Sequence, residues 1–180
     1  MFCLDALTVR FNVAELYHSA AGASRVYDVS EDITEIDEDL AVLTPLAGEI
    51  RVMRTDSGML VMGHLGTKVR LACRRCGMLV SVPMEIEIEE EFRPSVEIST
   101  GAAIPSEDGE DEATRTDGQH ILDLTEVIRQ DLWLAMPMSP LCSPQCRGLC
   151  PHCGANLNES PCGCQHQGGD PRLAVLRGLL

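Results

Sequence analysis

The class this 180-residue chain predicts is α+β: a mainly antiparallel sheet able to curl toward a barrel, one covering helix, and a cysteine-rich, ribbon-like C-terminal segment. Three observations carry that prediction. Residues 48–92 break into short β-forming runs punctuated by glycine and by the turn Asp56-Ser57-Gly58, one amphipathic helix pattern follows at 123–136, and six of nine cysteines crowd into residues 142–164. A chain of this length buries one ordinary core with a small appendage. With only 3% aromatic residues, that core is built from Val, Ile, Leu and Met.

In order along the chain, "VRFNVAELYHSAAGAS" offers Asn12 as the N-cap of a short helix and Gly22 as its stop, and "SRVYDVS" reads as a strand. Seven carboxylates between Asp28 and Asp39 read as a solvated loop or helix face. From Gly48, "EIRVMRT", "MLVMGHL" and "TKVRLA" form an antiparallel meander. The clearest strand follows Cys76: Met78, Val80, Val82, Met84, Ile86, Ile88 and Phe92 alternate with Ser81, Glu85, Glu87, Glu89 and Glu91. A period of two sends the apolar set to one face and the acids to the other.

The stretch 99–119 is small, polar, acidic and without periodicity, and is expected to be a disordered insert after an N-terminal β-rich part at 1–98. Residues 120–141 then hold the core helix. Asp123 is its expected cap, Glu126 reaches back as in a capping box, Pro137 ends it, and Leu124, Val127, Ile128, Leu132 and Ala135 share the buried face. Trp133 is read as packing rather than ligand binding. The last part, 142–180, combines the cysteine-rich segment with a helix capped by Asp170 and opened by Pro171, bearing Leu173, Leu176 and Leu180 in a stripe.

A formal net charge of -14 argues against a general electrostatic grip on nucleic acid or anionic membranes, and favours a basic partner. The cations are nevertheless clustered: Arg51, Arg54, Lys68, Arg70, Arg74 and Arg75 are six of the fourteen. The first twenty residues show no basic leader, and no run approaches the roughly 20 apolar residues of a membrane span. The expectation is a cytoplasmic protein. In a reducing compartment nine cysteines point to metal ligation rather than disulfides.

Zinc takes four soft ligands in a tetrahedron, and a CxxC turn supplies two thiolates from one knuckle. "CRRCG" at Cys73–Gly77 and "CPHCG" at Cys150–Gly154 are such knuckles; Cys142 with Cys146 and Cys162 with Cys164 complete four pairs, leaving Cys3 aside. The preferred arrangement is two structural sites. Cys150, Cys153, Cys162 and Cys164 form a local ribbon, while Cys73 and Cys76 meet Cys142 and Cys146. A single site of Cys73, Cys76, Cys150 and Cys153 stands as the alternative, and His152 reads as a solvated loop residue rather than a ligand.

Enzyme signatures fail on inspection. The CxxxCxxC of Cys146, Cys150 and Cys153 lacks the large barrel that radical enzymes place after it, and no histidine is followed by x-Glu as zinc deaminases require. There is no Gly-rich phosphate loop or Ser elbow to take a small-molecule substrate. All-thiolate sites are closed and structural rather than catalytic. The rival is a thiol-redox or metal-dependent enzyme using Cys73 and Cys76, against which stands the position of that pair between two strands instead of at a helix start.

Three elements in order, "VRLACRRCG" with its alternating strand, "ILDLTEVIRQDLWLAMPMSPLC" and "CRGLCPHCGANLNESPCGCQ" with "DPRL", resemble the YceD family. That family is named for accumulation of large-subunit (23S) ribosomal RNA in bacteria and plastids. The resemblance implies a non-enzymatic factor acting on the large-subunit precursor. Some members lack the cysteine-rich tail, so its zinc is not the family's universal functional element. Joined to the charge pattern, it predicts that Glu85, Glu87, Glu89 and Glu91 seat a basic large-subunit ribosomal protein while Lys68, Arg70, Arg74 and Arg75 touch 23S precursor rRNA.

Overall fold

Strand β1 (Arg10–Asn12) pairs antiparallel with β7 (Ile121–Asp123), forming a two-stranded ribbon that ties the start of the described chain to the entrance of its main helix. The computed structural model describes residues 9–97, 100–105 and 111–164. Helix α1 (Ala14–Tyr17) is a single turn whose N-cap position falls to Val13 rather than the expected Asn12; Asn12 Oδ1 still accepts from the Ala14 N–H at 3.0 Å, and the helix ends well before Gly22. Strands β2 (Ser24–Glu31), β3 (Leu46–Arg54), β4 (Met59–Ala72) and β5 (Leu79–Pro94) then run as an antiparallel meander, joined at the far edge by the two-residue β6 (Arg115–Thr116) parallel to β5.

The sheet is open, with order β2-β3-β4-β5-β6, and the expected curl does not close into a barrel. Closure needs the first and last strands to exchange hydrogen bonds, whereas β2 pairs with β3 alone and β6 is too short to offer a second ladder. Gly66 does not break the meander, so residues 59–72 form one continuous strand matched to the long β5. Along β5 the alternation holds. Met84, Ile86, Ile88 and Phe92 are buried while Glu85, Glu87, Glu89 and Glu91 are exposed; Met78, placed on the apolar face by pattern, precedes the strand and is 48% exposed.

The inner face packs with Leu16 and Tyr17 of α1, Leu122 of β7, Leu124 just before α2, and Val127, Ile128 and Leu132 of helix α2 (Thr125–Ala135), all in one apolar cluster. Ala135 lies exposed beyond this face. The N-cap position of α2 falls to Leu124 rather than the expected Asp123, which closes β7 one residue earlier and accepts from Thr125 N–H at 2.9 Å and from Arg10 at 2.7 Å. Glu126 does not reach back. Its carboxylate is taken by Arg129 at 2.7 and 2.9 Å and by Gln130 at 2.9 Å, which hold its pKa down at about 2.

One member of the acidic run is not solvated. Asp37 Oδ2 accepts from the Trp133 indole N–H at 2.9 Å and from Arg129 at 3.1 Å, and its pKa is lowered chiefly by the Trp133 bond. Trp133 thus pins a loop to α2 with its polar edge while 40% of its surface stays exposed. The acidic insert is also not without structure. A 3-10 turn at Glu112–Thr114 leads into β6, where Thr116 is 1% exposed and its hydroxyl shares a 3.0 Å hydrogen bond with that of Tyr17. Residues 106–110, Cys3 and the expected helix after Asp170 lie outside the described residues.

Candidate metal centres

Both CxxC segments fold as the same turn. In the first, Gly77 N–H donates to Cys73 O at 2.8 Å and Cys73 N–H to Met78 O at 2.8 Å; in the second, Gly154 N–H donates to Cys150 O at 2.9 Å and Cys150 N–H to Ala155 O at 2.8 Å. Gly77 and Gly154 both have φ of +71°, the left-handed conformation that lets the chain double back under the sulfurs. This is what aims two thiols of each knuckle at one point.

The eight cysteines gather into two quartets. Cys73, Cys76, Cys142 and Cys146 form one, and Cys150, Cys153, Cys162 and Cys164 the other, with the sulfurs of each within 4.8 Å of one another. A zinc tetrahedron with bonds of about 2.3 Å places its sulfurs about 3.8 Å apart. The Cys73–Cys146 sulfurs are 3.8 Å apart and those of Cys76 and Cys142 3.6 Å, so these two pairs already stand at the spacing of a tetrahedral soft-metal site. The single site joining Cys73 and Cys76 to Cys150 and Cys153 does not correspond to either group. His152 stands outside the second quartet, though its backbone N–H points at Cys150 Sγ at 3.4 Å.

The acid–base character of the thiols fits a site built for a cation. Burial raises Cys73, but backbone N–H groups of Cys142, Cys76 and Arg75 outweigh it and bring its pKa to about 6; those of Cys153 and His152 bring Cys150 to about 6 as well. Within the same groups Cys142 is pushed up to about 12, first by Cys146, and Cys164 to about 12, first by Cys153. In the first quartet Cys73 and Cys146 are lowered while Cys76 and Cys142 are raised; in the second Cys150 is lowered while Cys162 and Cys164 are raised, so the thiolates that form easily oppose the rest, because like charges at this range repel. A divalent ion relieves that opposition, which is why such groups bind metal with release of protons.

The first quartet belongs to the body of the protein. Cys73 and Cys76 lie at the tip of the β4–β5 hairpin, not at a helix start, and with Cys146 and Leu141 they form a small buried cluster. Two of the arginines expected to meet RNA help to build it. Arg74 Nη1 donates to Met138 O at 3.0 Å and Arg75 Nη1 to Cys146 O at 2.8 Å, drawing the tail onto the hairpin tip. Their function as clamps was hidden in the sequence, because a guanidinium that meets a backbone carbonyl leaves no pattern in residue types.

Outside the quartets, charge is sorted along the uncovered face of the β4–β5 hairpin. Lys68 and Arg70 face outward toward the knuckle end, in register with Pro83 and Ser81. Glu85, Glu87, Glu89 and Glu91 face outward on the other half, in register with Gly66, His64, Met62 and Leu60. Those four carboxylates extend over about 20 Å of strand. Glu91 is partly engaged, since the Ser57 and Thr55 hydroxyls donate to it and hold its pKa down. Between the two halves lies a shallow depression of about 560 Å³ lined by His64, Leu65, Gly66, Glu85, Ile86 and Glu87.

An open antiparallel sheet, one covering helix and two closed thiol quartets define a small α+β protein clasped by cysteine clusters that can hold metal ions. No solved structure matches it. The chain belongs to the YceD family: the model described as "Large ribosomal RNA subunit accumulation protein YceD" matches residues 61–180, which takes in all eight cysteines of the quartets. An uncharacterized protein of Mycobacterium tuberculosis is 33% identical over 132 residues, covering 73% of this chain and 60% of its own length. The chloroplastic YCED homolog 1 of Arabidopsis thaliana is 26% identical over 168 residues (82% of this chain, 52% of the relative), and that of Zea mays 27% over 159 residues (74% and 54%). The chain therefore spans between half and three fifths of the length of these relatives. Among the described residues no helix is long and apolar enough to cross a membrane.

Proposed function

We propose that this chain supports accumulation of large-subunit (23S) rRNA and assembly of the large ribosomal subunit in the cytoplasm, working by binding rather than catalysis, with zinc as the structural ion of both quartets. The relatives' names supply the process. The observation that carries the binding mode is the segregation of charge on the outer face of the β4–β5 hairpin. Glu85, Glu87 and Glu89 suit a Lys/Arg-rich surface of a large-subunit ribosomal protein, and Lys68 and Arg70 at the opposite end suit an rRNA phosphate backbone. Arg74 and Arg75 extend this basic end while clamping the tail.

Gly66 supports the same reading. A Cβ at Gly63 would stand 2.5 Å from Glu49 O, so packing forces glycine there; at Gly66 the nearest atom would be Met84 O at 3.6 Å, and nothing in the packing requires a missing side chain. Glycine in a strand weakens it. What the absence provides is a flat floor between Glu85 and Glu87 for the stem of a partner's arginine or lysine.

The test is depletion of the protein in its own cell, with the ratio of large- to small-subunit rRNA as readout, and rescue by wild type, by Glu85→Gln/Glu87→Gln/Glu89→Gln and by Gly66→Thr. Depletion lowers the ratio, wild type restores it, and both variants fold normally but fail to restore it. An unchanged ratio on depletion refutes the role in accumulation. Full rescue by both variants refutes the acidic face as the binding surface.

A further inference from the structure

Only Arg147, Gly148 and Leu149 separate Cys146, the last ligand of the hairpin quartet, from Cys150, the first of the tail quartet. That linker is gripped from both sides. Leu149 N–H donates to Arg75 O at 3.2 Å, inside the first knuckle; Leu157 N–H donates to Gly148 O at 2.9 Å, from the loop that the tail quartet closes. Asn158, on the same loop, completes the grip. Its Oδ1 accepts from Arg147 N–H at 2.8 Å, and its Nδ2 donates to Cys146 Sγ at 3.3 Å and to Asn156 Oδ1 at 2.8 Å.

The amide has one sensible orientation. Turned over, it would put an oxygen against the sulfur and N–H groups against the Arg147 N–H, losing both bonds. A loop residue lying between Cys153 and Cys162 of one quartet therefore supplies an N–H donor to a sulfur of the other. Four thiolates around a divalent ion carry excess negative charge, and N–H donors to the sulfurs both disperse it and fix the ligand's direction.

We infer that Asn158 is a positioning residue that couples the two metal centres, so that metal in the tail quartet raises the affinity of the hairpin quartet for its own ion. The inference rests on the reading of both quartets as metal sites. Its physical basis is the loop 154–161, which contributes nothing to the apolar core: the ties from Leu157 to Gly148 and from Asn156 to Leu149 and Met78 are few, so the ordering of Asn158 depends in large part on the ends of that loop being held by Cys150, Cys153, Cys162 and Cys164. Coupling of binding free energies is reciprocal, and metal at the hairpin quartet raises the tail affinity by the same factor.

Cadmium titration of the full chain tests this, because each all-sulfur site gives its own cadmium NMR resonance. Asn158→Asp keeps the acceptor for Arg147 N–H and replaces the donor to Cys146 with an anionic oxygen; Asn158→Ala removes both. Either substitution is expected to weaken the hairpin site by about 10- to 100-fold and to shift its resonance. Cys162→Ser/Cys164→Ser, which empties the tail site and leaves Asn158 unchanged, is expected to weaken the hairpin site to a similar degree, and adding Asn158→Asp to it costs little more. A hairpin-site affinity within about twofold of wild type in all these variants overturns the coupling while leaving two metal sites standing. A wild-type chain that binds no ion overturns the metal reading and the coupling together.

Discussion

Cys73 and Cys150 begin knuckles of one geometry, down to the glycine at φ +71° and the paired backbone hydrogen bonds, yet the quartets they open sit in different surroundings. The first is mostly buried and joins cysteines 66 and 73 positions apart in sequence; the second is contained within 150–164 and leaves Cys153 exposed. Closure entropy grows with the logarithm of loop length, so the long closure restrains the unfolded chain by about 2 kcal/mol more than the short one. Local turn chemistry decides where two thiols converge. Tertiary context decides whether the metal clasps the whole protein or merely staples a loop.

Acid has the largest expected effect, since it empties both sites. Loading requires thiolates, so the metal-free form binds more protons and affinity falls as pH falls; below about pH 6 both sites should weaken more steeply, as Cys73 and Cys150 also protonate. Metal content measured across pH 8 to pH 5 checks this, and a site that ignored pH would not be a thiolate site. Next in size is Cys73→Ser. It lowers metal content from two ions to one and costs about 3 kcal/mol, roughly 10 °C of melting temperature, because it opens the clasp.

Cys164→Ser likewise removes one ion but costs about 1 kcal/mol, roughly 3 °C, because the sheet does not depend on the tail loop. Equal losses in the two variants would erase the distinction between clasp and staple. The smallest and sharpest comparison is Gly77→Ala against Gly154→Ala. Neither added Cβ meets an atom within 4 Å, so both substitutions carry only the left-handed strain of about 1 kcal/mol. In Gly77→Ala that strain should appear in the global melting temperature; in Gly154→Ala it should appear chiefly in tail-site metal affinity.

Much of this was legible in the residues. The alternation from Val80 to Ile88, resumed at Phe92 after the break at Glu90, fixes which face of β5 is buried, and CxxC spacing identifies both knuckles. What escaped depends on partners distant in sequence. Whether the sheet closes depends on what β2 and β6 find beside them, which no local period encodes. Asp37 looks like any other acid of its run until Trp133 and Arg129 arrive from α2, and Glu126 abandons the capping position because Arg129 and Gln130 lie on its own helix face. The two residues of β6 are too few to show any period at all. Arg74 and Arg75 were legible as charge but not as clamps.

The separation of the hairpin tip from its partners also sets a clock. Ribosomes add roughly 5–20 residues per second, so the 73 positions between Cys73 and Cys146 correspond to about 4–15 s of synthesis. Hairpins form in microseconds. The β3–β4–β5 meander can therefore be complete, with two thiols waiting at its tip, long before Cys142 and Cys146 emerge. The order of emergence is written into the chain: the meander first, helix α2 next, and the last thiol of the hairpin quartet only after both, so that an ion captured there reports that β3–β5 and α2 have been made.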